Sequence, residues 1–288
     1  MTSPKYFVPK SIKEAISLLS EFGQKAKVIS GGTDLLMQMK QKELLPDYLI
    51  SLGDIPDLDY IRYDEIMGLK IGVLTKVVNI ANSPLIRSKF SILAQAASLL
   101  GTPTIRNQAT IGGNLCNAAP SADTAPPLLV LGATAKIEGA AGGKIIPFQN
   151  FFIGPGQTIL ENNHLLTEIQ VSNLLPHCGG VYLKQTRGQG ADLALVGVAA
   201  LVVMEGKILR DVRIALGAVA PTPIRAKGAE EILKGNELDN QLLEAASQAA
   251  VNEAKPIDDV RSSAGYRRKL VAVLTRRAVT QAVEQAEV

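Results

Sequence analysis

Tryptophan is absent from this sequence, and cysteine and histidine occur only twice each, as Cys116, Cys178, His164 and His177. With no Cys-x-x-Cys pair, four scattered soft ligands cannot be arranged by spacing into a recognisable zinc or iron–sulfur site. Any metal chemistry is therefore expected in a partner, and the core must rely on Leu, Ile, Val and Ala. Neither sign of charge dominates. Lys plus Arg number 30 against 27 Asp plus Glu, a net +3, too small an excess to argue for nucleic acid or an anionic membrane. Long apolar runs are missing too. The longest, Ala194 to Met204, falls well short of the roughly 18 residues of a spanning helix. The start, Met1 to Tyr6, has no basic stretch followed by an apolar one, so the chain is expected to be cytoplasmic.

Several familiar motifs are also absent. No G-x-G-x-x-G follows a strand and no G-x-x-x-x-G-K-S/T occurs, so neither a Rossmann nor a P-loop site is supported. No G-x-S-x-G elbow marks a nucleophile. His164 and His177 have no obvious catalytic neighbours and read as satisfied or surface histidines. No catalytic residue and no metal ligand is assigned to the chain.

What is present is a large apolar fraction. A chain of 288 residues that is 47% hydrophobic and 20% charged, with mean hydropathy +0.16, can bury a sizeable core and is comfortable as two domains. Ser11-Ile12-Lys13-Glu14 is a capping box. Ile12, Ala15, Ile16, Leu19 and Phe22 follow at helical spacing, and Gly23 ends that helix. Ala26 to Ile29 and Tyr48 to Leu52 are strand-like runs on either side of a second helix beginning at Leu35, a β-α-β pattern. Lys70 to Leu74 and Ala133 to Ile137 read as strands, Ser91 to Leu100 as a helix, and Gly139 to Lys144 as a hairpin. Between them Arg106 to Pro127, rich in Asn, Gly, Ala, Ser and Pro, reads as a long functional loop. Pro176 to Gly180 is a plausible boundary. Beyond it Tyr182 to Thr186, Leu195 to Met204 and Ile208 to Leu216 read as strands, with a tight turn at Glu205-Gly206-Lys207. Ala226 to Leu233, Asn240 to Glu253 and Ser263 to Gln285 read as helices. The last carries Arg267, Arg268, Lys269, Arg276 and Arg277 beside an apolar stripe, and is expected to dock with a solvated basic face.

Two glycine loops are the candidate sites. Ser30-Gly31-Gly32-Thr33-Asp34 joins a strand to a helix. Glycines let backbone N–H groups approach a ligand and a helix N-terminus adds donors, which suits a phosphate. The competing reading is a plain turn capped by Thr33 or Asp34. Thr110-Ile111-Gly112-Gly113-Asn114-Leu115-Cys116-Asn117 offers polar Thr110 and Asn114 around a second glycine pair, and Asp123 stands as an acceptor at the end of the small-residue stretch. A pyrophosphate wants N–H and hydroxyl donors and a ribose wants a carboxylate. Here the competing reading is an irregular packed loop.

Together these loops resemble a known family. Ser30-Gly31-Gly32-Thr33-Asp34-Leu35, with Ile105-Arg106-Asn107 through Thr110-Ile111-Gly112-Gly113-Asn114, is similar to the paired flavin motifs of the medium, FAD-binding subunits of molybdenum hydroxylases, the xanthine dehydrogenase and carbon monoxide dehydrogenase family. Gly154-Pro155-Gly156, Leu165 to Ile169, Ala220 to Arg225 and Tyr266 to Leu270 extend the resemblance essentially end to end. It implies an α+β fold. A two-lobed FAD-binding domain of the vanillyl-alcohol-oxidase/p-cresol-methylhydroxylase type would span 1–175, its lobes about 1–55 and 56–175. A three-stranded sheet with helices would follow over 176–288. FAD would lie extended and non-covalent between the lobes, its pyrophosphate held by both glycine loops. By position Val28, Ile29, Ser30, Gly31, Gly32, Thr33 and Asp34 would line it from the first lobe. Leu100, Thr110, Gly113, Asn114 and Asp123 would line it from the second, and Leu166 would pack near the adenine. Lys184 and the pair Asp192 and Leu193 would meet its flavin end.

The resemblance further implies a heterotrimer. Molybdopterin would be carried by a large partner and 2Fe–2S clusters by a small one, with electrons passing through FAD to NAD or another acceptor. Some relatives place an aromatic residue where Leu193 stands. Relatives of the 4-hydroxybenzoyl-CoA reductase type insert a cysteine-bearing segment that Cys116 and Cys178 cannot supply. The wording Cys116 to Asp123 looks nearest to the xanthine dehydrogenase type. Two other readings are a self-contained flavin oxidoreductase of the vanillyl-alcohol-oxidase type and an assembly subunit without flavin.

Overall fold

The computed structural model describes residues 3–188 and 192–287; Met1 and Thr2, where the leader reading began, lie outside them. The N-terminal lobe runs β1 (Lys5–Phe7), α1 (Ile12–Phe22), β2 (Ala26–Ile29), α2 (Leu35–Lys40) and β3 (Tyr48–Ser51). Its strands are parallel in the order β1-β3-β2. The capping box forms in a modified way. Ser11 Oγ accepts from Glu14 N at 3.1 Å, while Glu14 reaches back one residue further than expected and accepts from Lys10 N at 2.7 Å. Ala15, Ile16 and Leu19 are buried on one face of α1, and Gly23, at φ 53°, ends it by donating to the Leu19 carbonyl. Phe22 stacks on Tyr48 at 4.0 Å between centroids, locking helix to sheet.

The second lobe begins with β4 (Ile61–Asp64) and β5 (Gly68–Gly72) and continues through α3 (Val77–Asn82), α4 (Pro84–Lys89), α5 (Ser91–Leu99), α6 (Pro103–Gln108), α7 (Ile111–Cys116) and α8 (Ala125–Val130). It closes with β6 (Thr134–Gly139), β7 (Gly142–Pro147), β8 (Phe152–Gly154), β9 (Gln157–Thr158) and β10 (Leu165–Val171). Five of these strands form one antiparallel sheet, β4-β5-β10-β6-β7, with β6 and β7 joined at the expected glycine hairpin. The long loop expected over Arg106 to Pro127 is a correction: three short helices occupy much of it. Thr102 and Thr110 cap α6 and α7 by accepting from Ile105 N and Gly113 N, and prolines stand at the starts of α6 and α8. Helices this short gain little from propensity and are held by packing; every residue of α8 is buried.

The last part comprises β11 (Cys178–Gln185), β12 (Val196–Glu205), β13 (Ile208–Gly217), β14 (Ile224–Arg225), α9 (Lys227–Leu233), α10 (Asn240–Glu253) and α11 (Ala264–Ala286). Where three strands were expected, the two-residue β14 adds a fourth at the edge of β13. The sheet is covered on both faces. Tyr182, Ala199, Leu201 and Ala215 join the core of the two N-terminal lobes, whereas Val181, Val198, Ala200, Val202 and Ile214 pack under the three helices. That double burial is why Ala194 to Met204 is a continuous apolar run without spanning a membrane. Among the described residues no helix is long and apolar enough to cross one. The solvated basic face expected of the last helix is present at Arg268, Lys269 and Arg277, which are exposed, but one member departs from it. Arg267 is 2% exposed, because the carbonyls of Leu195 and Ala218 and the carboxylate of Asp259 satisfy it inside the fold.

Candidate functional site

The two glycine loops meet across a cleft of about 650 Å³. The first leaves β2 and turns into α2 with Gly32 at φ 71°. Gly31 packs so closely on the end of α6 that a Cβ there would lie 2.1 Å from the Gln108 carbonyl oxygen. Its glycine is therefore required by the seam between the lobes as well as by any ligand. Among the described residues no backbone carbonyl accepts from the N–H of Gly31, Gly32, Thr33 or Asp34. Asp34 occupies the position before α2 but its side chain makes no capping bond, against the plain-turn reading. Burial pushes the Asp34 carboxyl above its ordinary range.

The second loop presents the polar side chains expected of it, but not its backbone donors. Its own N–H groups are taken: Ile111 donates to Thr75 O at 3.0 Å, Gly112 to Val73 O at 2.9 Å, and Gly113 to Thr110 Oγ1 at 3.1 Å. Gly112 is needed because a Cβ would meet Val73 at 2.6 Å. What this loop offers the cleft is side chains. Thr110 Oγ1 is 2.9 Å from Ser30 Oγ, bridging the lobes. Asn114 Oδ1 accepts from Thr124 Oγ1 at 2.6 Å, which leaves the Asn114 amide nitrogen as a donor.

At the other end Asp123 is not the free acceptor its sequence position suggested. Oδ1 accepts from the Tyr182 hydroxyl at 2.8 Å and Oδ2 from Lys184 Nζ at 2.7 Å, and Lys184 also donates to the Leu99 carbonyl at 2.9 Å. Burial raises the Asp123 carboxyl above its ordinary range, with Lys184 and Tyr182 pulling the other way. The same burial, with the neighbouring carboxylate, raises the Tyr182 phenol. This network ties β11 to the loop before α8. Asp192 accepts from Gly188 N at 2.9 Å, and Leu193 stands 60% exposed beside it. Leu100 and Leu166 are buried apolar walls, and Arg106 holds the Leu100 and Gly101 carbonyls at 3.0 and 2.8 Å.

Every site residue expected from the sequence, from Val28 to Leu193, lines this one cleft. It also recruits Ile105, Asn117, Ser121 and Gly156 from the quoted motifs, and Gln38, Leu44 and His164, which the sequence did not offer as site residues. His164 lies at the cleft wall with its ring over Gly139, where a Cβ would approach its Cδ2 to 2.3 Å. No local signal hints at that, because β10 pairs with β6 and not with a strand next to it in the chain.

Comparison with known proteins accounts for this arrangement. The family described as "FAD binding domain in molybdopterin dehydrogenase" matches residues 2–173, and "CO dehydrogenase flavoprotein C-terminal domain" matches residues 181–282. The chain is 34% identical to the carbon monoxide dehydrogenase medium chain of Hydrogenophaga pseudoflava, over 96% of each. It is 31% identical to a putative xanthine dehydrogenase FAD-binding subunit of Escherichia coli, over 98% of this chain and 96% of that one. Among solved structures, carbon monoxide dehydrogenase from Hydrogenophaga pseudoflava superposes with a TM-score of 0.96 at 33% identity, covering 99% of this chain and 98% of the other. Quinoline 2-oxidoreductase from Pseudomonas putida superposes at 0.93 with 26% identity, covering 100% and 99%.

Proposed function

The chain belongs to the FAD-binding medium subunits of the carbon monoxide dehydrogenase and xanthine dehydrogenase family, and from that premise we propose that it holds FAD in its cleft as the electron-transfer subunit of a molybdenum hydroxylase. In this reading a large molybdopterin-bearing subunit hydroxylates the substrate, a small subunit relays electrons through 2Fe–2S clusters, and NAD or another acceptor receives them from this chain. A cytoplasmic location and a division near residues 175 and 176 belong to the same proposal.

The observation that carries it is the run of N–H groups from Gly31 to Asp34, unclaimed among the described residues, in a cleft shared with the Ser30–Thr110 bridge and the Asn114 amide. That donor set fits a pyrophosphate, and the volume lies within the roughly 300–1,000 Å³ of ligand sites. Bound FAD supplies the conversion between single electrons from clusters and paired electrons for an acceptor. This chain's residues bind and orient. Gly31 to Asp34 and Asn114 would hold the diphosphate, and Leu100 and Leu166 would give apolar walls from which water is excluded. The Asp123–Lys184–Tyr182 network would hold the far wall in register and place an ammonium near the flavin end. Asp192 and Leu193 would border the ring.

An absorption spectrum of the purified chain, before and after denaturation and with metal analysis, tests the assignment. Flavin bands, FAD released on denaturation and no iron are expected. In the assembled complex, substrate should bleach those bands only when molybdenum is present. Turnover by the isolated chain with free FAD would instead favour a self-contained flavin oxidoreductase, and a colourless chain that ignores added FAD would favour an assembly subunit.

A further inference from the structure

The C-terminal part contains an ionic cluster, built around one buried guanidinium, that touches neither glycine loop. Arg267, in the first turns of α11, is 2% exposed. Its Nη1 donates to the Ala218 carbonyl at 2.9 Å and the Leu195 carbonyl at 3.4 Å, and its Nη2 to Asp259 Oδ1 at 2.7 Å. Among the described residues its Nε has no partner. Asp259 in turn is saturated. Oδ1 also accepts from Arg261 N at 2.9 Å and Ser262 N at 3.1 Å, and Oδ2 accepts from Arg261 Nη2 at 2.7 Å and Nε at 3.0 Å.

A buried guanidinium with an orphan N–H is a poor way to gain stability, since apolar replacements of buried ion pairs are often neutral or better. Its partners point to another use. Leu195 is three residues from Asp192 and two from Leu193, the pair at the cleft. Ala218, at the non-glycine φ of 64°, gives its carbonyl to Arg267 and its N–H to the Pro120 carbonyl at 2.7 Å. Pro120 leads directly into Ser121, Ala122 and Asp123 on the opposite wall. A third tie comes from Arg187, three residues after Lys184, whose Nη1 donates to the Val260 carbonyl at 3.3 Å. The cluster thus reaches the Asp192–Leu193 side through one hydrogen bond, from Arg267 to Leu195, and the Asp123 side through two in series, Arg267 to Ala218 and Ala218 to Pro120.

We propose that Asp259 and Arg267 are positioning residues for the flavin end of the cleft, setting the relative placement of the Asp192–Leu193 segment and the Asp123 wall without touching the cofactor. The inference rests on the FAD-subunit reading above. Breaking the pair shifts one wall against the other, so the environment of the ring changes while the diphosphate grip of Gly31 to Asp34 persists.

The test uses the assembled complex carrying Asp259→Asn, with Asp259→Glu as the variant that keeps the charge. Three quantities are read: visible circular dichroism of the bound flavin, the KM for the electron acceptor, and the melting temperature. Asp259→Asn should keep its FAD stoichiometry, alter the flavin dichroism, and raise the acceptor KM by roughly tenfold to a hundredfold, the scale of an ångström-level misplacement. Asp259→Glu should recover part of both changes. A lower melting temperature with wild-type dichroism and wild-type acceptor KM would overturn the proposal, leaving the cluster a plain structural staple. If Asp259→Asn does not assemble, Asp259→Glu carries the decision by the same two spectroscopic and kinetic readouts. Failure of the underlying reading looks different, because the wild-type complex itself would then contain no flavin.

Discussion

Ser30 and Thr110, eighty residues apart in the chain, are joined hydroxyl to hydroxyl at 2.9 Å. Thr110 also caps α7 through Gly113 N, so one side chain starts a helix and fastens the two lobes along the cleft. Removing it should be felt twice. Thr110→Ala is expected to lower the stability of the FAD-stripped chain by about 0.5–2 kcal/mol through the lost cap, and to weaken FAD binding as well. Thr110→Ser, which keeps the hydroxyl, should retain most of both. Urea midpoints and FAD titrations of the two variants check this; a Thr110→Ala protein as stable as wild type would remove the bridge from the account.

Gly31 offers a sharper contrast with Gly23. A methyl on Gly31 would drive into backbone at Gln108, whereas one on Gly23 meets nothing within 4 Å and suffers only from its φ of 53°. With ψ at −132°, outside the left-handed helical well, Gly23→Ala should therefore cost about 1–3 kcal/mol of backbone strain and leave FAD binding intact. Gly31→Ala should separate the lobes and abolish FAD binding. Equal FAD affinities in the two variants would contradict this reading of the seam.

How much of this was legible in the sequence depends on how local each feature is. The capping box at Ser11, the hairpins at Gly139–Gly142 and Gly206, and the three long C-terminal strands announce themselves through spacing and turn residues a few positions apart. The helices α6, α7 and α8 do not, since six residues each, under two turns, are too few to carry a usable period. β1 and β14, at three and two residues, exist only because a partner strand is present. The glycine loops could be identified as a site, with backbone donors in the first and Thr110 and Asn114 in the second, but not that the N–H groups of the second are spent on Val73, Thr75 and Thr110. Arg267 looked like surface because a basic helix face is normally solvated; its partners Leu195, Ala218 and Asp259 come from three separate stretches.

The pair of Asp123 and Lys184 should behave as a buried ion pair. Their side chains are 6% and 3% exposed. Lys184→Met leaves the carboxyl with Tyr182 alone, and breaking a buried pair in this way typically costs about 3–5 kcal/mol. Adding Asp123→Asn to Lys184→Met should recover a substantial part of that loss. Denaturant melts of both variants decide it, and a double variant less stable than the single one would show that the carboxylate is not the source of the penalty.

Acid stability should report Asp259. Burial favours its neutral form, yet hydrogen bonds from Arg261, Arg267 and Ser262 hold its carboxyl well below the usual carboxylate range. A carboxyl lowered in the folded chain contributes stability above its unfolded pKa of about 3.9, and that contribution is lost as pH falls through the folded value. Asp123 has the opposite sign: its raised folded pKa gives a contribution present below the ordinary carboxylate range and lost as pH rises through the folded value. Asp259→Asn should therefore flatten the acid limb of stability below about pH 5, the window in which such a group begins to lose its contribution. Urea midpoints of the wild type and variant at stepped pH give the comparison, and parallel acid limbs would mean that Asp259 does not bind its proton differently on folding.

His164 gives the most pointed test of the cleft wall, because its place depends on a glycine twenty-five residues earlier. Gly139 ends β6, and an added Cβ would press on His164 Cδ2 at 2.3 Å and Nε2 at 2.8 Å. The ring must move, and it lines the cleft beside Leu165 and Leu166. Gly139→Ala should therefore weaken FAD binding by the roughly 1–3 kcal/mol typical of overpacking, with a smaller effect on the FAD-stripped chain, where the imidazole is free to swing into the empty volume. His164→Ala removes the object of the clash. If the account is right, Gly139→Ala in the His164→Ala background costs almost nothing more, and the double-mutant cycle shows a coupling of the same size as the single effect. If Gly139→Ala costs the same with or without His164, the glycine is needed by the hairpin itself, and the histidine is a bystander on the wall.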